Sequence, residues 1–412
     1  MAMAALSTVS RDTGRTSARL WEASAVLLAA MPMAMAIAHR SSPLFVTLAT
    51  LLAVTALAVQ GQVRQFYDDA RGAVMTPVGM AAVAFMAWAG VSVLWSETPA
   101  TSVQALVEFF LTVGATAGLA LLLPGRVPRH MLWVVAGVVA LACASMLFEL
   151  ASGMALRRTI GVRTATYIFN RPVLTTVMLL APLLLWLDTR PKGLIAQLLL
   201  LPLVALTAAM SESGAAVLGL LALVATFGAA RVLPRSTLSA LALATVVALA
   251  TAPVIGEIAQ RAIPAAVHGE LVSSHSQDRV EIWRSFGAAI RAAPVAGSGF
   301  GSSARLDTSS EAASVAPELQ VLLGAGHPHN AAIQIWAELG VIGAMLAAMV
   351  LLLTLRELWR LPPPRRVAAA ALLGAAASVS LIGHGAWQGW WAASIGAAVV
   401  WFRVAARQES AP

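Results

Sequence analysis

Residues 131–150 read MLWVVAGVVALACASMLFEL, with one charged side chain, Glu149, close to the end. Roughly 20 apolar residues is the length an α-helix needs to cross the hydrocarbon core of a bilayer. This run is apolar on every side, with no polar face of the kind a helix on a soluble core presents. Runs like it recur outward in both directions. Twelve can be drawn, at about 20–38, 43–60, 77–95, 103–124, 130–150, 172–187, 193–209, 213–230, 236–254, 332–355, 366–383 and 386–405. Proline and charged residues punctuate them, as at Pro124-Gly125-Arg126 and Arg190-Pro191-Lys192. The chain is 59% hydrophobic and 11% charged, with a mean hydropathy of +0.80. The fold class is therefore an all-α polytopic membrane protein with about 12 transmembrane helices. Cys143 is the only cysteine, which excludes an internal disulfide. The net charge of +8 comes from arginines and one lysine, Lys192, spread over short loops. That pattern reflects membrane topology rather than binding to nucleic acid.

Cations in short loops favour the cytoplasmic side. With the N-terminus placed there, both tails and every even-numbered loop carry two or more arginines or lysines, and the even span count puts both termini on one side. The polar N-terminus lacks a clear small-residue cleavage site, so the first run reads as an uncleaved span. The exceptions fall on the other side. Arg157, Arg158, Arg163 and Arg171 crowd one short loop there. A long loop translocates regardless of charge, but that excuse is weak for a short one. A shared anionic ligand would explain the cluster, because guanidinium forks bind phosphate oxygens in pairs.

The second exception is a long polar insert between spans nine and ten, running from about Pro253 to Ala331. It holds Arg261, Arg279, Arg284, Arg291 and Arg305, and four of the seven histidines, His268, His275, His327 and His329. From Arg279-Val-Glu-Ile-Trp283 a helical pattern runs to about Ala293. Ile282, Phe286 and Ile290 form its apolar stripe, so it lies on the membrane surface or packs on the bundle. Arg284 and Arg291 share one face, two turns apart; Arg279 and Trp283 share another. A basic interfacial helix near lipid headgroups is the plain alternative. Pro294-Val-Ala-Gly297-Ser-Gly299-Phe-Gly301 follows. Its glycines permit close backbone approaches, but no strand precedes them and the spacing is not that of a nucleotide-binding loop.

Gly326-His327-Pro328-His329-Asn330 leads into the tenth span. Asn330 fits a helix N-cap. His329 then stands at a helix N-terminus, where the dipole disfavours imidazolium, and a neutral imidazole suits a general base. Either histidine could instead cap or pack. His327, His329 and Glu338 could conceivably hold a metal, but the spacing argues against it. Glu338, inside a span, is a candidate functional carboxylate that would orient an arginine or a histidine. Trp387, Trp390 and Trp391 look like an interfacial aromatic belt.

Arg279-x3-Trp283, then Pro294-x2-Gly297-x-Gly299-x-Gly301, then His329-Asn330 leading to Trp336-Ala-Glu338-Leu-Gly340-Val-Ile-Gly343, resembles the signature of the O-antigen ligase and polymerase superfamily. The resemblance implies a metal-independent, multi-spanning glycosyltransferase of GT-C-like fold in the bacterial inner membrane, needing no cofactor and working at the periplasmic face. It implies spans 1–9 in residues 1–254, a periplasmic catalytic loop at 255–331, and spans 10–12 in 332–412, with both termini cytoplasmic. The implied donor is a glycan on undecaprenyl pyrophosphate. The implied acceptor is lipid A–core for a ligase, or another lipid-linked repeat for a polymerase. His329 is the implied base and Arg279 the implied partner of the pyrophosphate. Arg157, Arg158, Arg163, Arg171, Arg284, Arg291, Trp283, His327, Asn330 and Glu338 are the remaining candidates for binding substrate. Inversion at the anomeric carbon is expected, as is a monomer. The eighth-span motif reads Ser211-Glu212-Ser213-Gly214, without the arginine often found there, which throws weight onto Arg171 and Arg163. A transporter for an anionic lipid is the competing class, disfavoured because the charges gather on one face and no duplicated half is present.

Overall fold

The computed structural model describes residues 2–128, 130–264 and 276–409, so His268, His275 and Arg129 lie outside the described residues. All regular secondary structure among the described residues is helical. Among the described residues, twelve helices are long and apolar enough to cross a membrane: Thr13–Ile37, Ser42–Val59, Pro77–Trp95, Pro99–Leu122, Met131–Ala151, Thr166–Leu187, Gly193–Met210, Gly214–Val232, Pro234–Thr251, Ala331–Trp359, Pro363–Ile382 and Gly389–Gln408. They coincide with the twelve apolar runs, the largest shifts being earlier starts for the first and sixth.

One helix of more than ten residues was not anticipated. Val63–Val74 is only 12 residues long and polar on average. Val63, Tyr67 and Val74 are exposed along one side, and Arg64, Asp68 and Arg71 run beside them. That pattern suits a helix lying in the membrane interface.

The sixth span is the centre of the bundle. Of its most apolar stretch 89% is buried, against 11% for the ninth span and 17% for the third. The peripheral spans present Leu198, Leu199, Leu221 and Leu243 outward, as lipid-facing helices do. Between apolar helices in lipid there is little hydrophobic drive, so close contact through small residues matters. Gly219 of the eighth span would put an added Cβ 2.7 Å from Val379 of the eleventh, and Gly374 would put one 2.5 Å from Thr226.

The tenth span is broken. Gly340 sits at φ 62°, ψ −163°, a conformation open essentially to glycine alone. The glycine-rich loop fills the gap. Ser298 N–H donates to Ala337 O and Gly299 N–H to Glu338 O, both at 2.9 Å, and Val341 N–H donates to Pro294 O at 2.9 Å. Trp88 Nε1–H covers Leu339 O at 3.0 Å. The backbone groups freed by the break are thus satisfied inside the protein, as apolar surroundings require. A Cβ on Gly297 would fall 2.4 Å from the Glu338 carbonyl carbon, and one on Gly340 2.2 Å from Val295 O. The helix before the loop, Ser276–Ala292, packs on the bundle rather than lying free on the membrane surface. Ile282, Phe286 and Ile290 are buried against Leu249, Ile333 and Ala337.

Candidate active site

The histidine segment is held from several directions. Asn330 caps the tenth span as expected, its Oδ1 accepting from Ala332 N–H at 2.9 Å and Ile333 N–H at 3.2 Å. Trp283 Nε1–H donates to Pro328 O at 3.0 Å. His329 adopts φ 52°, left-handed backbone that few non-glycine residues take. Its Nδ1 lies 3.0 Å from Gly383 O, at the end of the eleventh span. A carbonyl oxygen only accepts, so Nδ1 carries the proton and Nε2 of the neutral ring is left with the lone pair. The His327 ring lies beside it, centroids 4.2 Å apart.

Arg279 donates to Ile382 O, the carbonyl next to the one that holds His329. Burial pushes its guanidinium below the ordinary arginine value. Burial also lowers His329, and the nearby Arg279 charge adds to this, partly offset by the bond to Gly383. His327 is lowered to about 4, first by burial and then by His329 and Arg171. His384, in the turn between the last two spans, is lowered to about 3 by burial and then by Arg171 and the other histidines. All three imidazoles are therefore neutral at pH 7.

Next to this cluster is a cavity of about 330 Å³, whose lining includes Arg40, Glu108, Arg171, His327, Gln334, Gln388 and Trp390. His329 and Arg279 are not in the lining; the His329 ring packs against that of His327, which is. Arg171, at the site end of the central span, lies over the Trp390 ring at 5.2 Å, and its Nη1 is buried with no hydrogen-bond partner. Glu108 has one oxygen engaged by Gly389 N–H at 3.1 Å. Two arginines face one carboxylate, so the lining favours an anion.

Residues 197–348 match a family model described as O-antigen ligase. Over those residues the chain is similar to that family. No curated protein matches it. The matched segment includes the insert, the glycine-rich loop, the histidine segment and the broken span. Arg40, Arg171, His384 and Gln388 lie outside it, and the fold alone brings them to this ligase-family domain.

Several expected substrate ligands have other work. Arg157 is 6% exposed. It donates to Ala36 O at 2.6 Å and Ile37 O at 2.7 Å, and to Arg163 O at 3.2 Å, tying its loop to the end of the first span. Arg158 turns back onto Ser152 O and Gly153 O. Arg163 is exposed above the Tyr167 ring, at 5.3 Å. Arg291 pairs with Glu257 at 3.0 Å on the outside of the insert, and Arg284 lines neither the cavity nor the histidine cluster. Of the arginine-rich loop, only Arg171 reaches the cavity.

Glu338 orients neither an arginine nor a histidine. It is fully buried. Its carboxylate accepts from Gly301 N–H, from Gln334 Nε2 at 2.8 Å and from Trp387 Nε1 at 2.6 Å. Gln334 in turn accepts Ala386 N–H at 2.7 Å. The group thus joins the glycine-rich loop, the broken span and the turn that carries His384. It does not converge with His327 and His329, and no trio of metal-ligating side chains does so among the described residues. Trp387 belongs to this buried network rather than to an interfacial belt. The eighth-span motif is also structural: Glu212 accepts from Thr166 at the start of the central span. Sequence reading missed Arg40, Glu108, Gln334, Gln388 and His384 as neighbours of one cavity. Their only local signal was position near span ends.

Proposed function

We propose that the protein transfers a glycan from undecaprenyl pyrophosphate to a sugar hydroxyl of lipid A–core, as an O-antigen ligase at the periplasmic face of the inner membrane. The family match over residues 197–348 supports ligase- or polymerase-type chemistry in general. The observation that carries the finer reading is His329. Its ring is neutral, its tautomer is set by Gly383 O, and it stands beside Arg279 and an arginine-lined cavity.

In this reading His329 Nε2 takes the proton of the acceptor hydroxyl as that oxygen attacks the anomeric carbon. The bond from that carbon to the pyrophosphate oxygen breaks, and its electron pair leaves with the phosphate. Attack from the face opposite the leaving group inverts the centre. Arg171 and Arg40 in the cavity lining, with Arg279 beside His329, meet the charge growing on the pyrophosphate. Preorganised donors of this kind are worth on the order of 10²-fold each in rate. Cationic side chains supply the neutralisation that a metal provides elsewhere, so the reaction is expected to run without one.

The test is reconstitution of purified protein with undecaprenyl-pyrophosphate-linked glycan and lipid A–core in the presence of EDTA. Glycan on lipid A–core supports the proposal. Elongation of the lipid-linked glycan alone makes the protein a polymerase. Binding of the lipid without transfer to either acceptor returns the transporter reading.

A further inference from the structure

The end of the bundle opposite the histidines holds a second cavity, of about 380 Å³. It opens where the sixth and eighth spans end, at Leu187 and Val232, and where the ninth and eleventh begin, at Pro234 and Pro363. The eleventh span runs from here to Ile382 beside His329. Its 20 residues separate the two cavities by about 30 Å.

The charge balance of this cavity is uneven. Arg231 and Arg366 line it. Arg366 stacks on the Trp359 ring at 4.5 Å, and Arg235 lies over the same ring at 5.8 Å, so three guanidiniums gather here. The carboxylate in the lining is Asp188, and both of its oxygens are engaged, one by Arg231 and one by Gln197 Nε2 at 2.7 Å. Arg366 is anchored through Nη2 to Leu361 O at 2.9 Å, while its Nε is buried with no partner. Apart from Thr189, the rest of the wall is apolar, made by Leu185, Phe227, Ala230, Val367 and three prolines.

We propose that this cavity binds the headgroup of an anionic glycerophospholipid. The phosphodiester would sit on Arg366 and Arg231, whose N–H groups match phosphate oxygens in number and geometry. The first acyl carbons would run along Leu185 and Phe227. The ends of spanning helices are at the depth of lipid phosphates, and basic pockets between spans at that depth suit anionic headgroups. An apolar wall beside the cations fits a lipid and gives nothing to a free phosphate ion.

The experiment is native mass spectrometry of the delipidated full-length protein titrated with phosphatidylglycerol, phosphatidylcholine or inorganic phosphate. The wild type should retain one phosphatidylglycerol in preference to phosphatidylcholine. Arg231→Gln and Arg366→Gln should each weaken that retention about fivefold. Asp188→Asn should strengthen it, because it removes the opposing charge and frees Arg231. General loss of packing would move all three variants the same way, so the opposite signs isolate the charge effect. Equal retention of the two lipids, arginine variants that bind like wild type, or displacement of phosphatidylglycerol by an equal concentration of inorganic phosphate would overturn the proposal.

Discussion

At the scale of single residues, the four arginines of the 151–171 loop divide by what each touches. Arg171 has an unpartnered Nη1 at the cavity, whereas Arg157 is spent on the carbonyls of Ala36 and Ile37. Arg171→Ala should therefore cost on the order of 10²-fold in transfer rate with little change in thermal stability. Arg157→Ala should do the reverse, destabilising by ~1–3 kcal/mol through the orphaned carbonyls. Rates and melting curves of the two variants check this. Arg279 carries a pH signature as well. Its charge helps to hold His329 below the ordinary histidine value. A base works only unprotonated, so the acidic limb of the rate profile should lie below pH ~6.5. Arg279→Gln should move that limb to higher pH as well as slowing transfer. The sequence made His329 and the Asn330 cap readable because both follow from position at a helix start. It offered no way to tell Arg157 from Arg171, because that depends on which distant carbonyls lie within reach.

At the scale of elements, the tenth span and the glycine-rich loop form one unit. Glycine spacing announced close approach, but nothing local named the partner, which is the opened backbone at Gly340 some forty residues further along. Gly297→Ala should force the loop out of the break, since the added carbon would sit 2.4 Å from the Glu338 backbone. Backbone strain at its positive φ adds ~1–3 kcal/mol. The expected outcome is a lower melting temperature together with lost transfer. Glu338→Gln tests the same joint from the side chain. Gly301 N–H and Trp387 Nε1–H share one carboxylate oxygen and Gln334 Nε2 uses the other, so the amide NH₂ of the variant must face one of these donors, and the variant should lose ~1–3 kcal/mol. Limited proteolysis of the insert would report the loosening in both cases.

At the scale of the whole molecule, the twelve spans were legible because a bilayer demands long apolar runs, and little else produces them. The convergence of Arg40, Glu108, His384 and Gln388 was not legible, because it comes from the packing of spans remote in sequence around the central sixth. That convergence gives the molecule a pH-dependent stability. His327 and His384, at about 4 and about 3, stay neutral well below the pH at which the unfolded chain takes up protons, near 6.5. Their contribution is fully present above about 6.5 and is lost as pH falls from there, toward 4 for His327 and toward 3 for His384. The melting temperature should drop on acidification through that window, and less steeply in His384→Asn.

The central claim is that His329 is the base of a glycosyl transfer. It is tested most directly by the single-turnover transfer rate of wild type and His329→Gln between pH 5 and 8, with inserted protein matched between the two. A wild-type rate that rises with pH and levels off before neutrality, with a variant at least 10²-fold slower and flat over the range, is the predicted result. A variant that keeps the wild-type rate and pH profile would contradict it.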